Sequence, residues 1–226
     1  MKRTARLFLL SAGVAGLAAL VWAQVATEAN KQYQTPEGRQ GLLKTLTSKD
    51  RENNMRPKEL LALIGIQPGS TVADVGTGPG MMLPHLVATV GPSGRVIAED
   101  IQQDFLDRAQ ERIKSNGWTN VTTVLGGDRD PKLPTGLDLI FTLDAYHHFD
   151  YPAEMLGHFA RALKPDGRLV IADFYKHRRN GKGQDKSGHV RIEKDEVKKE
   201  VESNGWRLLS DKDHGDTQYV LIFWKR

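Results

Sequence analysis

The chain of 226 residues contains no cysteine. This absence excludes disulfide bonds, thiolate zinc sites, iron–sulfur clusters and a cysteine nucleophile. Acidic residues are missing from positions 1–23, and outside that stretch 29 Lys and Arg face 28 Asp and Glu. The net charge of +4 is therefore no argument for a nucleic-acid partner. Hydrophobic residues at 39% and charged residues at 27% are ordinary for a globular protein, which excludes collagen-like, coiled-coil and fully disordered classes.

The first 23 residues have the pattern of an export signal. Residues 1–6 are basic, residues 7–21 are apolar apart from Ser11, and Ala23 offers the small residue that a signal peptidase accepts. The apolar run is shorter than the roughly 20 residues of a comfortable membrane span. We expect export to the periplasm or another space outside the cytoplasm, with cleavage after Ala23. The alternatives are an uncleaved inner-membrane anchor through residues 7–22, or a buried amino-terminal helix.

The rest of the chain divides into a polar lead-in, residues 24–55, and one domain, residues 56–226. The lead-in is predicted to be irregular with one short helix near 39–47. In the domain, short apolar runs alternate with amphipathic segments, which is typical of a mostly parallel sheet covered by helices on both faces. We expect a Rossmann-like α/β fold of about seven strands, whose last two strands form an antiparallel hairpin. Helices are predicted over 56–66, 79–90, 102–116, 152–163 and 193–204, strands over 71–75, 95–99, 121–125, 137–143, 168–173, 206–209 and 219–224, and a turn over 164–167.

The strongest motif is the segment Asp74–Gly80, Asp-Val-Gly-Thr-Gly-Pro-Gly, between a predicted strand and a predicted helix. Glycines without a Cβ let a ligand approach the backbone closely, and the following helix offers free N–H groups. A dinucleotide fold requires Gly-x-Gly-x-x-Gly, whereas here the third glycine comes one residue early. Asp74 also fits a cationic amino group better than a pyrophosphate. An ordinary tight turn and a dinucleotide site are the alternatives.

With this loop, the sequence resembles the class I S-adenosylmethionine-dependent methyltransferases over about Arg56 to Asp173. The segments 143–149 (Leu-Asp-Ala-Tyr-His-His-Phe) and 163–169 (Leu-Lys-Pro-Asp-Gly-Arg-Leu) are similar to the small-molecule branch that includes the ubiquinone and menaquinone biosynthesis methyltransferases. The resemblance implies S-adenosylmethionine as cofactor and a small-molecule acceptor methylated at oxygen, nitrogen or carbon.

The resemblance also implies roles for individual residues. Asp74 would place the amino group of the cofactor, Asp100 (or, as a fallback, Glu99) the ribose hydroxyls, and Asp128 the adenine. The predicted cofactor-binding set is Asp74, Gly76, Thr77, Gly78, Gly80, Asp100, Ile101, Asp128 and Asp144.

His147 and His148 are the candidate catalytic residues. Histidine titrates near neutral pH, so either could act as a general base or hold an acceptor hydroxyl. The alternative is that one caps the next helix and the other packs on the cofactor. Asp144 and Asp173 resemble the magnesium ligands of the catechol-type methyltransferases, but Phe174 stands where those enzymes have asparagine. We therefore expect no metal.

A basic stretch, residues 176–191, follows the predicted fifth strand of the parallel sheet. It is either a lid over an anionic acceptor or a solvated loop. Tyr146, His189 and Arg191 are the candidate substrate residues.

Two other function classes are weighed against methyl transfer. Export from the cytoplasm, where the cofactor is made, would favour a non-catalytic ligand-binding protein on a methyltransferase scaffold. A nicotinamide oxidoreductase is disfavoured by the glycine spacing and by Asp74. The acceptor and the oligomeric state stay open.

Overall fold

The computed structural model describes residues 24–177 and 189–226. The predicted signal segment, residues 1–23, and most of the basic stretch, residues 178–188, lie outside the described residues. Within the described ranges, no helix is long and apolar enough to cross a membrane.

A single seven-stranded sheet organises the domain. The strands are β1 Thr71–Val75, β2 Arg95–Asp100, β3 Val121–Leu125, β4 Leu137–Leu143, β5 Leu163–Phe174, β6 Trp206–His214 and β7 Gln218–Lys225. Their order in the sheet is β3-β2-β1-β4-β5-β7-β6. The first five are parallel to one another, and β7 is antiparallel to both β5 and β6. The predicted Rossmann-like architecture and its carboxyl-terminal hairpin are confirmed.

Seven α-helices accompany the sheet in the described residues. They are α1 Pro36–Leu46, α2 Lys49–Met55, α3 Pro57–Ile64, α4 Leu83–Val90, α5 Gln103–Asn116, α6 Pro152–Ala162 and α7 Lys194–Ser203. Helices α3 and α4 contribute to the apolar core on one face of the sheet, and α6 and α7 to the core on the other. Helices on both faces of the sheet were predicted from the alternation of apolar runs with amphipathic segments in the sequence.

Three predicted boundaries are wrong. Helix α4 begins at Leu83 rather than at position 79, because Gly78 and Gly80 have positive φ angles that a right-handed helix does not allow. Residues 164–167 lie within β5: Leu137 pairs with Leu163 and Leu139 with Arg168, so the intervening residues bulge from the strand instead of forming a separate turn. The last two strands are longer than predicted, and they pair from Trp206↔Lys225 to His214↔Gln218.

The lead-in is more regular than predicted. It forms two helices, α1 and α2, instead of an irregular segment with one short helix. Each has an N-cap hydroxyl: the Thr35 side chain accepts from the Gly38 N–H, and the Ser48 side chain accepts from the Arg51 N–H. Thr35 followed by Pro36 was the sequence signal for the first of these helices.

Candidate functional site

A cavity of about 320 Å³ opens at the carboxyl ends of β1, β2 and β4. The strand order reverses between β1 and β4, and open parallel sheets bind ligands at such a point. The cavity volume lies in the range of small-molecule sites. The walls come from the loops after the strands and from the lead-in segment, and the residues used below are Asn30, Tyr33, Arg51, Asp74, Gly76, Thr77, Gly78, Glu99, Asp100, Ile101, Asp128, Asp144, His148 and Asp150.

The glycine loop forms the floor of this cavity. Gly76 has a φ of 74°, and a Cβ added there would stand 2.6 Å from the Cβ of Ala145. Gly78 has a φ of 56°, and a Cβ there would meet no atom of the described residues within 4 Å. The backbone at Gly78 therefore faces open space, which is the close approach to a ligand that the motif predicts.

Asp74 lies under this loop and is only 2% exposed. One carboxylate oxygen accepts a hydrogen bond from the Thr77 hydroxyl at 2.7 Å. Burial raises the pKa of Asp74 to about 7; the Thr77 hydrogen bond opposes this shift and the charge of Asp100 adds to it. A cation next to Asp74 would stabilise the ionised carboxylate.

Two acids at the end of β2 also line the cavity. Asp100 accepts from the backbone N–H of Gly78 at 2.8 Å and from that of Gln102 at 2.8 Å. Burial raises the pKa of Asp100 to about 6 against these two hydrogen bonds. Glu99 accepts from the Gly76 N–H at 3.3 Å through Oε2.

The other carboxylate oxygen of Glu99, Oε1, has an unsatisfied hydrogen-bonding capacity within the described residues. Oε1 is buried and has no hydrogen-bond partner among the described residues, and it lies so close to Gly126 that a Cβ there would be 1.8 Å away. Burial, with Asp100 nearby, raises the pKa of Glu99 well above its usual value. Both oxygens of Asp100 are already bonded to the backbone, so Glu99 has the more available acceptor of the two.

The structure brings most of the predicted cofactor residues to this one cavity. Asp74, Gly76, Thr77, Gly78, Asp100, Ile101, Asp128 and Asp144 all line it. Asp128 and Ile101 are exposed at its mouth. Gly80 does not border it, since a Cβ at Gly80 would meet Leu83 and Ala109.

The lead-in contributes a wall that the sequence did not predict. Arg51 of α2 donates to Asp144 in a largely buried ion pair. Burial raises the pKa of Asp144 while Arg51 and His147 oppose the shift. Asp144 has a φ of 53°, a backbone conformation that aspartate tolerates better than most residues.

Two further lead-in side chains pack over the turn after β4. The ring of Tyr33 lies 4.7 Å from that of His148, and Asn30 donates to the backbone oxygen of His148 at 2.9 Å. A second bond from Asn30 reaches Asp150 at 3.1 Å. Neither a motif nor a periodicity in the sequence indicated these contacts, because they join residues more than a hundred positions apart.

His147 and His148 stand on a 3₁₀ turn, Tyr146–His148, but in different environments. His148 lines the cavity, whereas His147 is 1% exposed and does not. Burial and the charges of His147, His189 and Arg51 lower the pKa of His148 well below its usual value. Burial opposes protonation of His147 too, but the neighbouring Asp173 carboxylate outweighs it and raises the pKa.

The candidate substrate residues lie behind this turn. The Tyr146 side chain is fully buried, and its hydroxyl donates to Glu200 at 2.8 Å. Arg191 pairs with the same carboxylate at 3.0 Å. His189 contacts His147, with 3.2 Å between their Nε2 atoms. None of Tyr146, His189 and Arg191 borders the cavity in the described part of the chain.

Comparison with known proteins adds independent findings. A family model described as a methyltransferase domain matches residues 66–215. Nocamycin O-methyltransferase of Saccharothrix syringae is 33% identical over 116 residues, which are 50% of this chain and 41% of that protein. The ubiquinone/menaquinone biosynthesis C-methyltransferase of Ectopseudomonas mendocina is 28% identical over 119 residues, 51% of this chain and 46% of that protein. The chain thus spans less than half the length of these curated relatives.

A solved structure resembles most of the chain. The crystal structure of a methyltransferase from Aquifex aeolicus, described as dependent on S-adenosylmethionine, superposes with a TM-score of 0.75 at 28% identity. The match covers 82% of this chain and 98% of that one.

Proposed function

Because the chain belongs to the methyltransferase domain family, with S-adenosylmethionine as the cofactor implied, we propose that it transfers a methyl group from S-adenosylmethionine to a small-molecule acceptor. The observation that carries the proposal is the set of three buried carboxylates, Asp74, Glu99 and Asp100, around one cavity. Their raised pKa values indicate that the protein alone does not stabilise their charges.

The residues present fit this cofactor. S-adenosylmethionine carries a sulfonium and an ammonium group. Among the residues that the structure describes, the cavity is lined by one arginine, Arg51, and by six acids, Asp74, Glu99, Asp100, Asp128, Asp144 and Asp150. The ribose offers hydroxyl donors, and the buried Oε1 of Glu99 is an acceptor without a partner among the described residues. The open space at Gly78 leaves room for a ligand against the loop backbone.

Each of these residues then has a task. Asp74 holds the ammonium group, Glu99 and Asp100 receive the ribose hydroxyls, and Asp128 lies at the mouth of the cavity for the adenine amino group. When bound, the cofactor supplies an electrophilic methyl group on its sulfonium centre. The chain contributes by aligning the acceptor with that methyl group, which is a large part of the rate enhancement in group transfer.

We place the acceptor on the side of the cavity formed by Tyr33, Arg51, Asp144 and His148, where the lead-in meets the turn after β4. The Arg51–Asp144 ion pair and the Tyr33–His148 contact close this side. Tyr33 and His148 supply a ring surface there, which suits an acceptor with an apolar body. The relatives named above include an O-methyltransferase and a C-methyltransferase. The acceptor atom in this proposal is oxygen, nitrogen or carbon.

The experiment follows an isotopically labelled methyl group. The chain is incubated with labelled S-adenosylmethionine and a heat-inactivated cell extract, which is then separated into small-molecule, protein and RNA fractions, and the cofactor is removed from the small-molecule fraction by chromatography. We expect a labelled small molecule other than the cofactor with the wild-type chain and none with Asp74→Asn. Label only in protein or RNA would contradict the small-molecule acceptor, and no demethylated cofactor in any fraction would contradict methyl transfer itself.

We also propose that the chain is exported. The support is the order of the first 23 residues, a basic start, an apolar run and Ala23. Cell fractionation of the untagged chain should find it outside the cytoplasm or in the inner-membrane fraction, and deletion of residues 2–22 should retain it in the cytoplasm. Equal amounts of both forms in the cytoplasm would contradict export.

A further inference from the structure

Three histidines meet beside the cavity. His147 and His148 follow β4, and His189 lies 42 positions beyond His147, shortly before α7. Their ring centroids are separated by 4.1 Å (His147–His148), 4.7 Å (His147–His189) and 4.8 Å (His148–His189). One ring nitrogen from each lies within 4.8 Å of the other two. The fold thus assembles three imidazoles from two distant segments.

Hydrogen bonds from Nδ1 to an acceptor oxygen fix the orientation of two of the rings. His147 Nδ1 is 2.7 Å from Asp173 Oδ1, and His148 Nδ1 is 2.9 Å from Asn30 Oδ1. Both partners accept, so each Nδ1 carries the proton and donates. In the neutral rings the Nε2 atoms then bear the lone pairs. Metal-bound histidines commonly have this arrangement, a carboxylate or amide oxygen behind each ring.

Two buried polar atoms at this cluster are unsatisfied in hydrogen bonding within the described residues. His148 Nε2 and Asp144 Oδ1 have no hydrogen-bond partner among the described residues. Asp144 Oδ1 lies 4.0 Å from His147 Nε2. A buried polar atom without a partner costs about 1–3 kcal/mol, so two of them on residues that line the same cavity indicate that a ligand binds there. Both atoms are electron donors, which points to a cation.

We propose that His147, His148 and His189 bind a divalent transition-metal ion such as Zn²⁺, with Asp144 as the fourth ligand. Zn–N bonds of about 2.0–2.1 Å in a tetrahedral site place ligand nitrogens roughly 3.3 Å apart. The Nε2 atoms of His147 and His189 are already 3.2 Å apart, and because the three ring nitrogens all lie within 4.8 Å of one another, no pair must close by more than about 1.5 Å. Magnesium prefers oxygen ligands and near-octahedral geometry, which three imidazoles do not offer.

Asp173 has a positioning role in this site. Its Oδ1 faces His147 Nδ1 and also accepts from the Phe174 N–H at 2.7 Å, and its Oδ2 accepts from the His147 N–H at 3.2 Å. With both oxygens engaged, Asp173 orients His147 rather than binding the ion. The ion would therefore depend on the histidines, and not on the Asp144–Asp173 pair, which resembles magnesium ligands but for which the sequence predicted no metal.

The metal site would border the cavity, since Asp144 and His148 line it. An ion there is a Lewis acid next to the acceptor side. Ion binding itself requires neither the cofactor nor methyl transfer, so it can be measured separately from the proposed function.

The test is a titration of the untagged, chelator-stripped chain with Co²⁺, followed by visible absorption, and then displacement by Zn²⁺. We expect one ion per chain and a tetrahedral cobalt spectrum. His148→Gln and His189→Gln should each weaken binding by more than tenfold, and Asp173→Asn by about 10- to 100-fold. The matched control is His158→Gln, since His158 pairs with Asp130 at 3.1 Å and belongs to no part of the cluster.

Thermal melting of each variant and its affinity for S-adenosylhomocysteine show whether the variant is still folded. His189→Gln should keep both while it loses the ion. The proposal is overturned if the wild-type chain binds less than one ion at micromolar concentration, or if the folded His148 and His189 variants bind it as tightly as the His158 variant.

Discussion

Asp74 should couple cofactor binding to the release of a proton. In the ligand-free chain burial raises its pKa to about 7, so near neutral pH about half of the molecules carry the proton. An ammonium group beside Asp74 favours the ionised carboxylate, and binding must therefore expel that proton. The affinity for S-adenosylmethionine should fall as the pH is lowered through 7.

The expected change in affinity follows from the pKa values of two carboxylates, Asp74 and Asp100. Between pH 7 and pH 6 the ionised fraction of a group with pKa about 7 falls about fivefold. Asp100, with a pKa of about 6, adds about twofold if it too is ionised in the complex. The dissociation constant should thus rise by about five- to tenfold over this single pH unit.

The assay is isothermal titration calorimetry at pH 6 and pH 7, each in two buffers of different ionisation enthalpy, which also counts the protons released. Asp74→Asn should bind more weakly at both pH values and lose most of the pH dependence. The matched control is Asp216→Asn, the same chemical change at an exposed residue outside the cavity, which should keep the wild-type slope. A wild-type affinity that does not change between the two pH values, or an Asp74→Asn slope equal to that of the wild type, would show that binding does not expel a proton from Asp74.

The remaining predictions concern stability and the walls of the site. The pKa of Asp74 is raised in the folded chain, so its contribution to stability is present below about pH 4 and is lost as the pH rises through 7, by up to about 4 kcal/mol. Asp74→Asn should therefore raise the melting temperature of the ligand-free chain at pH 8 but not at pH 4. An equal rise at both pH values would contradict a raised pKa of Asp74. Gly76→Ala should destabilise the chain by about 2–3 kcal/mol in chemical denaturation, since φ is 74° and the new Cβ would stand 2.6 Å from Ala145. Gly41→Ala, within α1 and with nothing within 4 Å, is its control and should be neutral or slightly stabilising. Arg51→Ala should lower the free energy of unfolding by about 3 kcal/mol, because it leaves a buried Asp144 without its cation. Arg108→Ala, which breaks an exposed pair with Glu111, should lower it by less than about 1 kcal/mol. Equal losses would argue against the buried ion pair. Tyr146→Phe should lower the free energy of unfolding by about 1 kcal/mol, because it removes the hydrogen bond to Glu200. Its affinity for the cofactor should stay within about twofold of the wild type, and a tenfold loss of affinity would instead place Tyr146 in the site.

Local signals in the sequence were enough to predict the sheet and the glycine loop. Short apolar runs marked each strand, and Gly76 and Gly78 marked the backbone that turns with positive φ. Helix α4 was predicted to begin too early because Gly80 has a positive φ of 78°, which delays the helix. Glycine adopts φ angles of either sign, so the sequence does not reveal which one Gly80 takes.

The resemblance assigned the three acids Asp74, Asp100 and Asp128 to one cofactor site, and all three line one cavity. The lead-in wall was not predictable, since Arg51 and Asp144 are 93 positions apart and no periodic pattern links them. His189 was predicted as a candidate substrate residue at the end of the basic stretch, but it does not border the cavity, and only the fold brings its ring beside His147. Contacts of this kind arise from topology, which residue spacing does not encode.

We propose that the buried carboxylates of the cavity bind S-adenosylmethionine. Calorimetric titration of the full chain with S-adenosylmethionine, S-adenosylhomocysteine and NADH tests this. We expect micromolar binding of both adenosyl ligands, no binding of NADH, and weaker binding of the adenosyl ligands to Asp74→Asn. Binding of NADH alone, or no binding of either adenosyl ligand to the folded chain, would contradict the proposal.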